Sequence, residues 1–570
     1  MADNYNLADE AVIYFNNEAT KGFDDKFDVP KMLNTIPELP NIFTSSDKEH
    51  LSINGANKYI FFQLSGNRWN YNNYRDGDGN YFKSAFKKYN YSGKIGGNFK
   101  DKYEFMFGVT QSHHEVLFPA LPMDETDDNS ILTYAEYKYN PRKEVLETVC
   151  LKAYQSYVRH IMDNKNRPNS DTVTAVSDVT AITTGARAES QINVLKGNLL
   201  FGIDYQIREK YGVRFKNMIM QPLLPVKTEV LWNDAVIENS AFFTEYLKQD
   251  ENIELVLSAR YDLNKGYSDT IKLMGAPNIM LLNNVDTRSK FNNFSFSGGI
   301  TKKFTDEISL ALSLGRVMRS PDMLERFIIL LPVGFDFYDY LGNPQLKPET
   351  NNEADITLKY NHKIAGSIEL NLFACYVQSY IYGKILAPSQ QMPLTQFVKG
   401  VKQYQNGSEV SLGGFELSYA LPEDMKLNVT ASMAYTYATV SKSIKHFIST
   451  TENYQMEIQN DALNEIPPLE AHLNISYPFF GEKLLPNFSV RAVAPQNHVS
   501  EAFYEPQTPG FYLLNCSLHY KFNKYLNFNS GVNNILNKPY YEHLNRRVTN
   551  SVVKIYEPGR VFFINLVLTF

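Results

Sequence analysis

Two stretches gather side chains of the kinds that bind metal ions. In "SHHEVLFPALPMDETDD", residues 112–128, His113 and His114 are followed by Met123 and by the acids Asp124, Glu125, Asp127 and Asp128. In "YVRHIMDNKNRP", residues 157–168, His160 and Met162 are separated by one residue. Imidazole and thioether groups suit copper and other late transition metals. His113, His114, Met123, His160 and Met162 are therefore candidate ligands, provided the fold brings them together in a lumen or an outer loop. The same residues admit a plainer reading. Adjacent His113 and His114 point to opposite faces of a strand, and Met162 serves equally well facing lipid. Asp124 is kept as a candidate ligand, but with Glu125, Asp127 and Asp128 it reads more simply as part of a solvated loop.

A second group lies in "SLGRVMRSPDMLERF". Arg316, Arg319, Asp322, Glu325 and Arg326 have the charge to hold an anionic chelate, or to brace a wall as ion pairs. Catalysis finds no comparable support. GxSxG, HExxH, a phosphate loop and a strand-anchored GxGxxG are all missing. With 62 acidic residues, paired carboxylates single out no glycosidase. No catalytic residue and no cofactor is assigned, and the chain is read as a non-enzyme.

The elements that must position these side chains are strands. "FSFSGGITKKFTDEISLALSLG" places Phe294, Phe296, Ile300 and Phe304 on one face, then Ile308, Leu310, Leu312 and Leu314 after a tight turn. "GGFELSYALPEDMKLNVTASMAYTY", "GSIELNLFACYV" and "FYLLNCSLHYKF" repeat the pattern, with Asn371, Asn515 and His519 on the polar side. Period two over such lengths is a strand signal. The chain ends the same way, with Phe562, Ile564, Leu566, Leu568 and Phe570 alternating with Val561, Phe563, Asn565, Val567 and Thr569.

Tight turns alternate with long polar connections, at 384–408, 438–466 and 494–508 among others, and Tyr and Phe collect at strand ends. Short turns on one side, long loops on the other and aromatic girdles characterise a transmembrane barrel. About 510 residues at roughly 23 per strand and connection supply about 20–22 strands, the size of plugged outer-membrane transporters. The expected fold is therefore all-β, a large antiparallel transmembrane β-barrel over residues 57–570, preceded by an unrelated β-rich segment of soluble type over 1–56. In that segment Asp24, Asp25 and Asp28 lack EF-hand spacing.

The net charge of −6 gives no case for nucleic acid. Cys150, Cys375 and Cys516 are too dispersed for a disulfide framework or a zinc finger. No run of 18 apolar residues predicts a membrane helix, and the first residues do not read as a signal peptide.

Several motifs resemble the barrel of TonB-dependent outer-membrane receptors. They are "GVNNILNKPYYEH" with "EPGRVFFINLVLTF", "LGNPQLKPETNNEADITLKY", "SLGRVMRSPDMLERF" and "AFFTEYLKQDENIELVLSARYD", and the resemblance spans about 58–570. It implies residence in the outer membrane of a Gram-negative bacterium, among outer-membrane lipid. It also implies energised uptake of metal chelates such as siderophores, or of metal ions, by a TonB-type complex that pulls on a plug. In that family a terminal aromatic such as Phe570 is read by the barrel-assembly machinery. "HIMDN" and "RSPDMLERF" resemble the metal-related branch, copper in particular. A TonB box, a plug and the opening two strands are not recognisable. "KYIFFQLSGNRWNYNNYRDGDG" reads as a third strand, with residues 1–56 in place of the first two. A passive porin-like channel and a surface-attached adhesive protein are the alternatives.

Overall fold

The computed structural model describes residues 11–18, 46–141, 143, 145–269, 273–274, 280–282, 286–332, 338–386, 395, 398–448, 453–545 and 553–570. The acidic cluster Asp24, Asp25 and Asp28 lies outside them. One antiparallel sheet of 23 strands dominates. Asn453–Ala462 pairs only with the outer part of Asn428–Ile448, whose inner part pairs with Glu470–Ser476. The other 22 strands form a ring in which each pairs with its neighbours in the chain. The ring closes where Ala11–Glu18 lies between Ser46–Ala56 and Val561–Thr569, with Ala11 opposite Ile53 and Val12 opposite Thr569. A closed ring leaves no strand edge unpaired, the condition for crossing a bilayer with strands. Among the described residues no helix is long and apolar enough to cross a membrane.

The alternation in the sequence has its expected result. Phe294, Phe296, Ile300 and Phe304 are all exposed, as are Ile308, Leu312 and Leu314. Phe62, Leu64, Phe105, Phe107, Ile203 and Tyr205 continue this apolar belt around the outside. Polar neighbours turn inward and pair across strands, as where Thr357 donates to Asn371 at 2.9 Å and Asn515 to Ser489 at 3.2 Å. At the short-turn end, aromatic rings meet in pairs: Tyr103 stacks on Tyr139 at 5.2 Å, and Tyr520 meets Phe522 edge to face at 4.4 Å. The tightest of these turns, Leu195-Lys196, has φ of 53° and 60°, the backbone that lets two strands rejoin without splaying.

Two expectations about the chain's course differ from what is observed. Residues 1–56 had been set apart, yet both strands described there, Ala11–Glu18 and Ser46–Ala56, belong to the barrel sheet. They supply the two opening strands, and Ile60–Tyr71 is the third, as its sequence suggested. The stretch 438–466 is not an irregular loop. Asn428–Ile448 runs on for 21 residues and pairs back with Asn453–Ala462, so the wall itself extends into a hairpin. A tilted strand needs only about 9–11 residues to cross the hydrocarbon, whereas Val173–Val194, Gly197–Met218 and Lys227–Gln249 have 22, 22 and 23. The wall therefore stands well above the membrane on its long-loop side.

At residues 320–332 and 338–348 the chain turns into the barrel. A single helical turn, Met323–Phe327, starts at a capping box in which Asp322 and Glu325 satisfy each other's backbone N–H. Phe327 and Ile328, both without exposure, pack on Val179, Leu231, Trp232, Ala235 and Ile237 of the wall's inner face. Ile329 N–H donates to the Leu231 carbonyl at 2.9 Å. The wall accommodates this insertion through register shifts around Gly212, where an added Cβ would stand 3.0 Å from the Trp232 ring. A four-stranded sheet of Leu331–Pro332, Asp339–Leu341, Val401–Asn406 and Ile381–Ile385 continues from it, giving the stretch 384–408 regular structure at both ends. A lumen-side cavity of about 810 Å³ lies against this segment.

Candidate functional site

Four strands at the long-loop end carry the first group of candidates: Tyr103–Val116, Asp124–Tyr139, Leu146–Asp163 and Val173–Val194. Residues opposite each other in an antiparallel ladder share a face. His114 stands opposite Asp128, and Asp128 opposite His160. Phe105 and Phe107, on the other parity of the same strand as His114, lie in the exposed apolar belt. His114, Asp128 and His160 therefore face the lumen. His113 faces the other way, stacked on Tyr89 at 6.2 Å with Nδ1 3.1 Å from Asn129 Oδ1.

Strict alternation would place Glu125 and Asp128 on opposite faces. The register shifts between Glu125 and Asp127, so Thr126 is an extra residue and Glu125 turns inward opposite Met162. A β-bulge re-aims a side chain in this way. Glu125 Oε1 then lies 2.6 Å from His114 Nε2, and His114 Nδ1 lies 3.6 Å from Asp128 Oδ1. His160 Nδ1 is 2.8 Å from Asp128 Oδ2 and 3.9 Å from Glu125 Oε2. Glu125 and Asp128 are each only 7% exposed, which corrects the reading of these acids as a solvated loop.

The other candidates divide. Met162 is in register with both Glu125 and Ser177, and Ser177 Oγ contacts Met123 Sδ at 3.9 Å, so both thioethers border the cluster. Asp124 does not join it. Its carboxylate pairs with Arg167 and accepts from Phe118 N–H at 3.1 Å, clamping the loops beside the site. His114, Glu125, Asp128 and His160 thus form one lumen-facing group, Met123 and Met162 border it, and His113 and Asp124 stand apart.

The arginine-rich candidates lie elsewhere in the barrel and are occupied. Arg316 donates to Asn352 at 2.8 Å. Arg319 bridges Glu325 and Glu349, with contacts of 2.8 and 2.6 Å. Arg326, 1% exposed, donates to the Pro321 carbonyl, Ser289 and Asn264 at 2.6, 3.1 and 2.7 Å. Burial pulls its guanidinium down to about 10, against the influence of Asp322 and Glu325. These groups pin the inward segment to the wall, which is the bracing alternative.

A model of the family described as TonB dependent receptor-like, beta-barrel, matches residues 51–535. No curated protein sequence matches. Among solved structures, the copper transporter OprC is similar at a TM-score of 0.79 and 20% identity, covering 98% of this chain and 80% of that one. The FrpB iron transporter from Neisseria meningitidis gives a TM-score of 0.68 at 14% identity, with 98% and 82% covered. The siderophore receptor PirA from Pseudomonas aeruginosa gives 0.59 at 13%, with 98% and 80% covered. These likenesses concern the fold, and the family match rests on the sequence. Barrels of this family are receptors and transporters of the Gram-negative outer membrane. With its closed ring of strands, apolar outer belt and matched sequence, the chain belongs to the TonB-dependent receptor β-barrel family.

Proposed function

We propose that the chain is the barrel of an outer-membrane receptor for energised uptake of metal ions or metal chelates, siderophores included. The observation that carries this reading is the group of metal-capable side chains facing the lumen at the outer end of a closed barrel. His160 and Met162 head the ligand set, with Met123 bordering them. The nearby acids serve to concentrate cations before transfer inward. The likeness to a copper transporter and to iron and siderophore receptors supports a metal cargo. A TonB-type complex supplies the energy, acting on a plug.

The test is uptake of copper and of a ferric chelate by cells producing the protein, with and without an uncoupler. The expected result is saturable uptake that the uncoupler abolishes and that His160→Ala with Met162→Leu lowers about tenfold for a metal ion bound there. Uptake indifferent to the uncoupler and linear with concentration would make the chain a passive channel instead.

A further inference from the structure

We infer that His114, Glu125 and Asp128 form a binding site for a divalent cation of the zinc class, through nitrogen and oxygen alone. One ligand atom from each lies within 4.8 Å of the other two. Ligands at about 2.0–2.2 Å around zinc stand about 3.4 Å apart. The set with one ligand atom per residue spans no more than 4.8 Å, so side-chain rotations that draw its members in to that spacing admit an ion. The polar atoms available to it are poorly used within the protein. His114 Nδ1 is buried without a hydrogen-bond partner, and Glu125 Oε1, also buried, has only the 2.6 Å contact with His114 Nε2.

Two carboxylates drawn out of water side by side carry a cost. Lys88, in register with His114, directs its ammonium at the Trp69 ring, 5.3 Å from its centroid. A doubly charged cation between Glu125 and Asp128 balances both charges. His160, bonded to Asp128 Oδ2 at 2.8 Å, holds that carboxylate in place as an outer partner. The bulge at Thr126 gives this arrangement its purpose, since it brings Glu125 into the lumen beside Asp128.

This site deepens the receptor reading by naming an ion, and binding on the isolated protein tests it without transport. The refolded full chain in detergent is titrated with Zn2+ in competition with a chromogenic chelator. Heat-modifiable mobility confirms folding of every variant. One Zn2+ per chain is expected, weakened at least about tenfold by Glu125→Gln and by Asp128→Asn and unaffected by His362→Asn in a turn at the far end. His114→Gln carries the test if either acid variant misfolds. X-ray absorption at the zinc edge is expected to show nitrogen and oxygen neighbours only. Absence of binding, affinity unchanged in the acid variants, or a sulfur neighbour at about 2.3 Å would overturn the site. Uptake dependent on His160 and Met162 would survive that failure, so the two readings fall separately.

Discussion

Glu125 and Asp128 face the same way because of one inserted residue, and the sequence pattern conceals it. His160 and Met162 were legible from residue type and spacing, and the opposite orientations of His113 and His114 from strand periodicity alone. The acids were not, because period two holds only where the register is unbroken, and nothing in "DETDD" announces that Thr126 is extra. Deleting Thr126 removes the extra residue and leaves Glu125 two positions before Asp128, on the lumen face under strict alternation. The expected outcome is Zn2+ affinity weakened far less than in Glu125→Gln, with the folded barrel retained, as read by titration and gel mobility. A loss as large as in Glu125→Gln would show that the bulge does more than bring this carboxylate to the lumen face.

Among the elements, the inward residues 320–332 and 338–346 depart furthest from what alternation predicts, since their contacts are tertiary. "RSPDMLERF" shows a capping box, but not that Phe327 ends against Leu231 and Trp232. Removing the fully buried ring in Phe327→Ala costs about 3–5 kcal/mol locally and frees a segment that occupies the lumen. Planar-bilayer conductance is expected to rise, whereas a current equal to the parent's would show that the segment is no constriction. Above the membrane, the hairpin Asn453–Ala462 is fastened by Asp461, which accepts from Ser443, Ser500, Glu501 N–H and Ala502 N–H at 2.7–3.1 Å. Burial would raise this carboxyl, but the Ser500 and backbone donors outweigh it and hold it below the ordinary carboxylate range. A group depressed in the folded state stabilises above its unfolded value, near pH 4, and loses that contribution as the pH falls through the folded one. Amide exchange at Glu501 and Ala502 should therefore accelerate below about pH 4, relative to the intrinsic rate. Asp461→Asn should abolish that dependence, and a dependence that persists in the variant would assign it to another group.

At the scale of the whole molecule, fold class, strand count and the side bearing the long loops were all legible, because they follow from alternation and turn spacing. The seam was not, since "AVIYF" carries no sign that its partner lies some 550 residues on. Ile13→Pro removes an N–H from a strand paired on both sides, at a cost of about 1–3 kcal/mol, and opens the ring at its seam. The expected result is loss of heat-modifiable mobility at lower denaturant than the parent. Phe570 is exposed at the end of the closing strand, and we propose it as the address for assembly: Phe570→Ser should lower the amount inserted in cells while leaving refolding in detergent intact. The seam also sets an order in time. Ala11–Glu18 leaves the ribosome some 550 residues ahead of Val561–Thr569. At 5–20 residues per second, about half a minute or more passes before the partners coexist. Through that interval the first strand lacks its partner along one edge, so the ring cannot close before its last strand is made.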